Sequence, residues 1–249
     1  MRDPEVERDT DADWRDLGVR EPYWAVLSHP DFLAQNLTPE RVAAFYASGE
    51  AFVDELLGRF EALFGARPAG PALDFGCGTG RLAEPMAQRM GEAVGYDISP
   101  GMLDQARQRG GKALYVSELP DGPFAWINSF IVLQHIPPPR GLALIEAMLA
   151  RLAPGGFVSL QLTFWREPRH EPLPEPPAAR GWRQLVRPVA RSLRPAPPVG
   201  TITMYDYDLS AVMRRLTEGG IGETTLAPTN HDGHHGAILL GRKHSEGAV

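Results

Sequence analysis

From Ala72 onward the chain alternates short apolar runs, at 72–75, 93–96, 112–116, 124–129 and 157–162, with longer segments whose apolar positions recur every three or four residues. Period-two or continuous apolar runs of this length suit buried strands, and the intervening pattern suits amphipathic helices. Helices are predicted over 81–90, 100–109, 142–152 and 209–218. Ser99-Pro100 starts the second as cap and first residue, and Gly219-Gly220 ends the last. Strands alternating with helices at this pace predict a doubly wound parallel sheet. The runs 224–227 and 237–240 come last and predict an antiparallel hairpin around Asn230-His231-Asp232-Gly233-His234-His235-Gly236.

The first 70 residues carry a helical pattern only. Residues 1–20 are charged and are expected to be frayed or loosely docked, with order beginning near Pro22. Thr38-Pro39-Glu40 is a helix start, with an N-cap hydroxyl, proline at the first helical position and an acid that suits the dipole. Val42, Phe45 and Tyr46 continue it. Ser48-Gly49-Glu50 is a candidate break, after which Phe52, Val53, Leu56, Leu57, Phe60 and Phe64 form a second stripe up to Gly65.

Composition narrows the class. The chain has 249 residues, 43% hydrophobic and 22% charged, which suits one globular α/β domain with elaborations. A net charge of −6 gives no general attraction to nucleic acid. The N-terminus lacks the apolar core of a signal peptide, and no run approaches the roughly 18 apolar residues of a membrane helix. The expectation is a cytoplasmic protein, monomer or homodimer, with neither nucleic acid nor membrane as partner. Cys77, the single cysteine, excludes an intrachain disulfide and argues against a thiolate zinc site.

The most informative stretch is Leu73-Asp74-Phe75-Gly76-Cys77-Gly78-Thr79-Gly80-Arg81-Leu82, where the first strand runs into three alternate glycines. Glycine lets the backbone take left-handed angles and approach a ligand closely. Dinucleotide-binding loops use G-x-G-x-x-G and keep carboxylates away from the pyrophosphate. Here the spacing is G-x-G-x-G and Asp74 stands at the strand end, which suits a cationic amino-acid ligand. The second strand ends in Gly95-Tyr96-Asp97-Ile98-Ser99, with Asp97 placed to meet a ribose diol.

Together, Asp74, the glycine loop and Asp97 resemble the class I S-adenosylmethionine-dependent methyltransferases, over about 71–162. Leu152-Ala153-Pro154-Gly155-Gly156 before the fifth strand adds to that resemblance. It implies a Rossmann-like α/β fold, a seven-stranded doubly wound sheet whose last strand is antiparallel. An N-terminal helical extension (1–70) is expected to cap the domain (71–249), with a lid insertion at about 165–200. The implied cofactor is S-adenosyl-L-methionine, held by Asp74, Gly76, Cys77, Gly78, Gly80, Asp97, Ile98 and Met102. Ser117 or Glu118 after the third strand is expected at the adenine, and Ser129 at the end of the fourth.

The acceptor is less determined. The stretch after the fourth strand, Asn128-Ser129-Phe130-Ile131, lacks the Asn/Asp-Pro-Pro-aromatic tetrad of base N-methyltransferases. No Asp or Glu occurs between Asp121 and Glu146 to hold a divalent cation there, so a metal-independent reaction is expected. His135, with an imidazole suited to removing a proton near neutrality, is the candidate general base for a hydroxyl acceptor. Tyr23, Trp24 and Tyr46 in the extension, Tyr205 and Tyr207 after the insertion, and His231, His234 and His235 in the hairpin are candidate substrate contacts.

Residues 165–200 hold nine prolines, and 166–194 hold seven arginines against three glutamates. Arginines pair with carboxylates or phosphates, so an anionic acceptor, a sugar nucleotide or an acidic carrier is a candidate there, with Trp165 and Trp182 available for stacking. The resulting expectation is O-methylation of a small molecule such as a sugar or natural-product scaffold. Two alternatives stay open: N-methylation of a small amine, and a non-catalytic S-adenosylmethionine-binding partner protein.

Overall fold

Ala72, Leu73, Asp74 and Phe75 are all buried, which makes Ala72–Phe75 (β1) an interior strand of the sheet, as expected of a strand covered by helices on each side. In the computed structural model, which describes residues 8–170 and 200–245, β1 pairs in parallel with Ala93–Tyr96 (β2) and Phe124–Ser129 (β4). Leu114–Val116 (β3) lies beyond β2, and Leu152–Arg166 (β5) beyond β4. The antiparallel hairpin Ile221–His231 (β6) and His234–Lys243 (β7) completes seven strands in the order β3-β2-β1-β4-β5-β7-β6. This is the Rossmann-like sheet expected, with β7 as its antiparallel member.

The elements differ from the sequence reading mainly in length. β5 continues past 162 to Arg166, and the hairpin strands pair along their whole length to a two-residue turn at Asp232-Gly233. Both turn residues have positive φ (49° and 87°), the twist-matched geometry that an Asp-Gly pair favours. Because β6 runs parallel to β5, that tip sits at the carboxyl edge of the sheet.

Among the described residues, four helices flank the sheet within the domain: Ala83–Met90 (α4), Pro100–Arg109 (α5), Pro138–Ala150 (α6) and Leu209–Glu218 (α7). They cover the sheet with two main apolar clusters. One joins Leu73, Ile127, Val158 and Leu239 to Ile145, Met148, Val212 and Leu216. The other joins Trp126, Phe157 and Leu240 to Met86 of α4 and to Val53, Leu56 and Phe60 of the N-terminal extension.

The N-terminal part departs from expectation in two ways. Thr10–Arg20 (α1) is an ordered helix, not a frayed tail, followed by Pro22–Val26 (α2). Its Asp13, 2% exposed, receives the Arg8 guanidinium at 2.6 and 2.7 Å and the Gly200 N–H at 2.8 Å. Backbone meets backbone where α1 crosses α5: a Cβ on Gly101 would lie 2.7 Å from the Gly18 carbonyl oxygen. Second, Pro39–Phe64 (α3) is unbroken through Ser48-Gly49-Glu50. Gly49 is there for proximity, since a Cβ at that position would overlap the Arg81 carbonyl. Its helix-propensity cost of about 1 kcal/mol is absorbed by the packing of a helix 26 residues long. No helix among the described residues is long and apolar enough to cross a membrane.

Candidate functional site

The carboxyl ends of β1, β2 and β4 open into a cavity enclosing about 920 Å³ of free space, its mouth included. Ligands in open parallel sheets sit at this edge. Asp74, Phe75, Gly76, Cys77 and Gly78 line it from β1 and the loop that follows, and Tyr96, Asp97 and Ile98 line it from β2. Thr10, Asp11 and Trp14 of α1, with Ala25 and Val26 of α2, close it from above.

The glycine loop has the geometry its spacing implied. Gly76, Gly78 and Gly80 all have positive φ (77°, 52° and 80°). A Cβ on Gly76 would overlap Val132, and one on Gly78 would lie 2.7 Å from a Val26 methyl. Gly80 is tight for another reason: a side chain there would strike Tyr115, so it serves packing and stays outside the cavity lining. Cys77 is buried, and burial pushes its thiol well above the usual range.

Two carboxylates define the polar end. Asp74 is 2% exposed, and burial pushes it up to about 6, against the Asn128 hydrogen bond and the Arg81 charge. A relay fixes its rotamer. Trp126 Nε1–H donates to Ser159 Oγ (2.9 Å), Ser159 donates to Asn128 Oδ1 (2.7 Å), and Asn128 Nδ2 donates to Asp74 Oδ1 (2.8 Å). Asp97 is also raised to about 6 by burial, although it accepts from the N–H groups of Gly78 (2.9 Å) and Ser99 (2.8 Å). It thereby ties β2 to the glycine loop.

The rest of the lining is largely apolar: Phe130, Ile131, Val132, Ile136 and Leu144, with Met102 at the start of α5. Ile131 has φ +60°, a left-handed conformation costly for a β-branched residue. Its N–H donates to Gln161 Oε1 at 2.9 Å, and Gln161 donates in turn to Gln134 at 2.9 Å. Arg140 reaches over from α6 and grips Asp11 of α1 with two bonds of 2.6 and 2.8 Å, bridging the mouth.

Of the residues predicted from sequence, the cavity brings together Asp74, Gly76, Cys77, Gly78, Asp97, Ile98 and Met102. Ser117 and Glu118 are exposed and outside its lining, and Ser129 is fully buried beneath it. Tyr23 and Tyr46 pack edge-on with Phe45, and the Tyr46 hydroxyl donates to the Thr79 carbonyl (3.3 Å), supporting the glycine loop from behind. Trp24 packs with Leu17, Ala25 and Met102.

His135 lies one layer behind the wall, 5% exposed, with its ring 4.9 Å from that of Trp14. Both ring nitrogens are engaged: Nδ1–H faces the Thr203 carbonyl (2.9 Å), and Nε2 faces the Gln134 side-chain amide (3.1 Å). Burial pushes it down to about 4, so the ring is neutral at physiological pH. Tyr205 and Tyr207 belong to the same seam. The Tyr205 N–H donates to the Gln134 carbonyl (2.7 Å), and the Tyr207 hydroxyl sits 2.9 and 2.8 Å from the carbonyls of Leu133 and Ile136. His231, His234 and His235 sit at or beside the hairpin turn, where His234 stacks on His170 and His235 on Trp165. The arginine-rich stretch 171–199, Trp182 included, lies outside the described residues.

Sequence reasoning missed Asp11, Trp14, Arg81 and Arg140. Trp14 alone carried a readable signal, as a large aromatic amid charges.

Residues 72–156 match the family described as "Methyltransferase domain". The chain is similar to trans-aconitate 2-methyltransferase of Streptomyces coelicolor, 34% identical over 140 residues that cover 50% of this chain and 46% of that protein. It is also similar to a ubiquinone biosynthesis O-methyltransferase of Alkalilimnicola ehrlichii, 31% identical over 137 residues, 47% of this chain and 54% of that protein. The chain thus spans about half the length of the curated relatives it matches. Among solved structures, magnesium protoporphyrin IX methyltransferase from Synechocystis PCC 6803 with bound S-adenosylmethionine superimposes with a TM-score of 0.61. It is 16% identical, covering 96% of this chain and 99% of that one, which shows a common fold.

Proposed function

This chain carries a class I S-adenosylmethionine-dependent methyltransferase domain, and on that premise we propose that it methylates an oxygen of a small molecule without a metal ion. The observation that carries the reading is the make-up of the cavity. Asp74, Asp97 and the bare glycine loop share it with the apolar side chains of Phe130, Ile131, Val132, Ile136 and Leu144, under a lid made by α1 and α2. The positive-φ glycine loop that lines the cavity fits the cofactor, with Asp74 for its ammonium, Asp97 for the ribose and Met102 beside the base. When bound, the cofactor supplies an electrophilic methyl group on a sulfonium. The chain contributes orientation and exclusion of water, the terms that dominate when two reactants are held together in an apolar enclosure.

For the acceptor, an oxygen that is already anionic or readily ionised, a carboxylate or an acidic hydroxyl, suits this site best. An ordinary alcohol requires a base, and His135 spends both nitrogens on Thr203 and Gln134. Two names among the relatives agree in direction: one acts on trans-aconitate, a carboxylate, and the other is an O-methyltransferase. On this reading His135 is a positioning residue that staples the segment after the insertion to the cavity wall.

The test is methyl transfer from methyl-labelled cofactor to panels of carboxylic acids, phenols, alcohols and amines. Label released as methanol by brief alkali marks an ester; stable label marks an ether or an amine. His135→Asn should keep activity within about tenfold and leave the pH profile unchanged. A loss of about 100-fold or more with the acidic limb abolished would establish His135 as the base. Cofactor binding with no label transferred to any acceptor would leave only the binding-protein alternative.

A further inference from the structure

Arg81 follows the glycine loop directly, lines the cavity and is 5% exposed. A guanidinium has five N–H donors and is rarely buried without an anion. Here one donor, on Nη1, reaches Ser48 Oγ at 3.2 Å, while Nε is buried with no partner. The guanidinium carbon stands 5.9 Å from the centre of the Phe45 ring, a weak contact. Arg8, Arg89, Arg140, Arg151 and Arg166 each hold a carboxylate within 4 Å. Among the described residues Arg81 has no such ion pair. Asp74 lies near enough to favour its charge, yet burial prevails and pulls the guanidinium down to about 10. A buried cation with an orphaned donor in a ligand cavity calls for an anion from the ligand.

We infer that Arg81 is the seat for the carboxylate of the cofactor's amino-acid end, with Asp74 taking the ammonium group of the same carbon. This rests on the proposed cofactor reading and adds a residue to it. The two groups of an α-amino acid share one carbon, so their partners have to be neighbours, and Asp74 and Arg81 are electrostatically coupled and both line the cavity. The chain also builds a mount for Arg81. Ser48 orients the guanidinium, and Gly49 lets α3 press against the Arg81 carbonyl, so the Ser-Gly pair inside α3 sets this side chain in place. Charge balance agrees. Asp74, Asp97 and Arg81 together carry −1 when ionised, complementary to the +1 of a sulfonium with one ammonium and one carboxylate.

The test deletes each partner in turn. Binding of S-adenosylhomocysteine and of its decarboxylated analogue, which keeps the amine, is measured by calorimetry on the wild-type chain and on Arg81→Met. For the wild type, loss of the carboxylate should weaken binding by about 10- to 100-fold, the range of a charge-assisted hydrogen bond. Arg81→Met should lose a similar factor for S-adenosylhomocysteine and be indifferent to decarboxylation, and Arg81→Lys should recover part of the loss. The inference is overturned if the wild type binds both ligands equally, or if decarboxylation costs Arg81→Met as much as it costs the wild type. The wild-type comparison decides the matter even if the variant fails to fold. Failure of the wild type to bind either ligand would instead overturn the cofactor reading itself.

Discussion

Replacing Asp74 by asparagine separates what this carboxylate costs the fold from what it gives the ligand. In the unfolded chain the group titrates near 3.8, whereas in the folded protein burial holds it at about 6. The folded state therefore binds the proton more tightly, so stability falls as pH rises from about 4 to about 6 and stays reduced above that. Two pH units at 1.36 kcal/mol each put the full deficit at about 3 kcal/mol. Asparagine keeps the oxygen that receives the Asn128 bond and carries no charge. Asp74→Asn is expected to stabilise the ligand-free protein by about 1–3 kcal/mol at pH 8. For a chain of this size that raises Tm by about 2–12 °C. At pH 5, where the folded carboxyl is largely protonated, the gain should shrink to about half. The same variant loses its charge-assisted bond to the ligand ammonium and should bind S-adenosylhomocysteine about 10- to 100-fold more weakly. Scanning calorimetry at both pH values and titration calorimetry at pH 8 read both effects. A variant no more stable than wild type at pH 8, or one whose advantage is unchanged at pH 5, would refute the claim that burial governs this group. Undiminished affinity would refute its assignment to the ammonium.

Two further perturbations probe the supports of the site. Ser159→Ala strips a hydroxyl that accepts from Trp126 and donates to Asn128, leaving two buried polar groups without their partner. Denaturant unfolding should show a loss of about 1–3 kcal/mol, and an unchanged midpoint would refute the relay. Asp11→Ala cuts the grip of Arg140 on α1 across the cavity mouth. For an exposed pair the stability change should stay under about 1 kcal/mol, while amide exchange over 10–20 accelerates and bound ligand no longer protects it. Exchange that matches the wild type would show that the bridge does not hold the lid.

The domain core was legible because its constraints are local. Strand boundaries at 72–75, 93–96 and 124–129 follow from apolar runs between turns, and Gly76 and Gly78 announce a cradle because any side chain there would meet Val132 or Val26. A missing Cβ is a signal visible in the sequence itself. Hairpin length is less legible because the Asp232-Gly233 turn sits inside a longer polar stretch, 230–236, that reads as one loop.

The lid and Arg81 were illegible for the opposite reason: too little apolar periodicity marks either of them. α1 docks through a buried Asp13 with its Arg8 and Gly200 partners and through the close approach of Gly18 to Gly101, so its charge-rich sequence reads as a solvated tail. Gly49 reads as a helix breaker, since local propensity says nothing about a neighbour 32 positions away, yet the long apolar stripe of α3 holds the helix and the glycine brings Arg81 close. His135 shows the same limit from the other side. Its residue type suits a base, but the burial that keeps it neutral is a product of the fold, and the Thr203 carbonyl that occupies Nδ1 arrives from 68 positions further along the chain. Residue type marks what a side chain is able to do, and at this cavity it is the long-range partner that decides whether the side chain is free to do it.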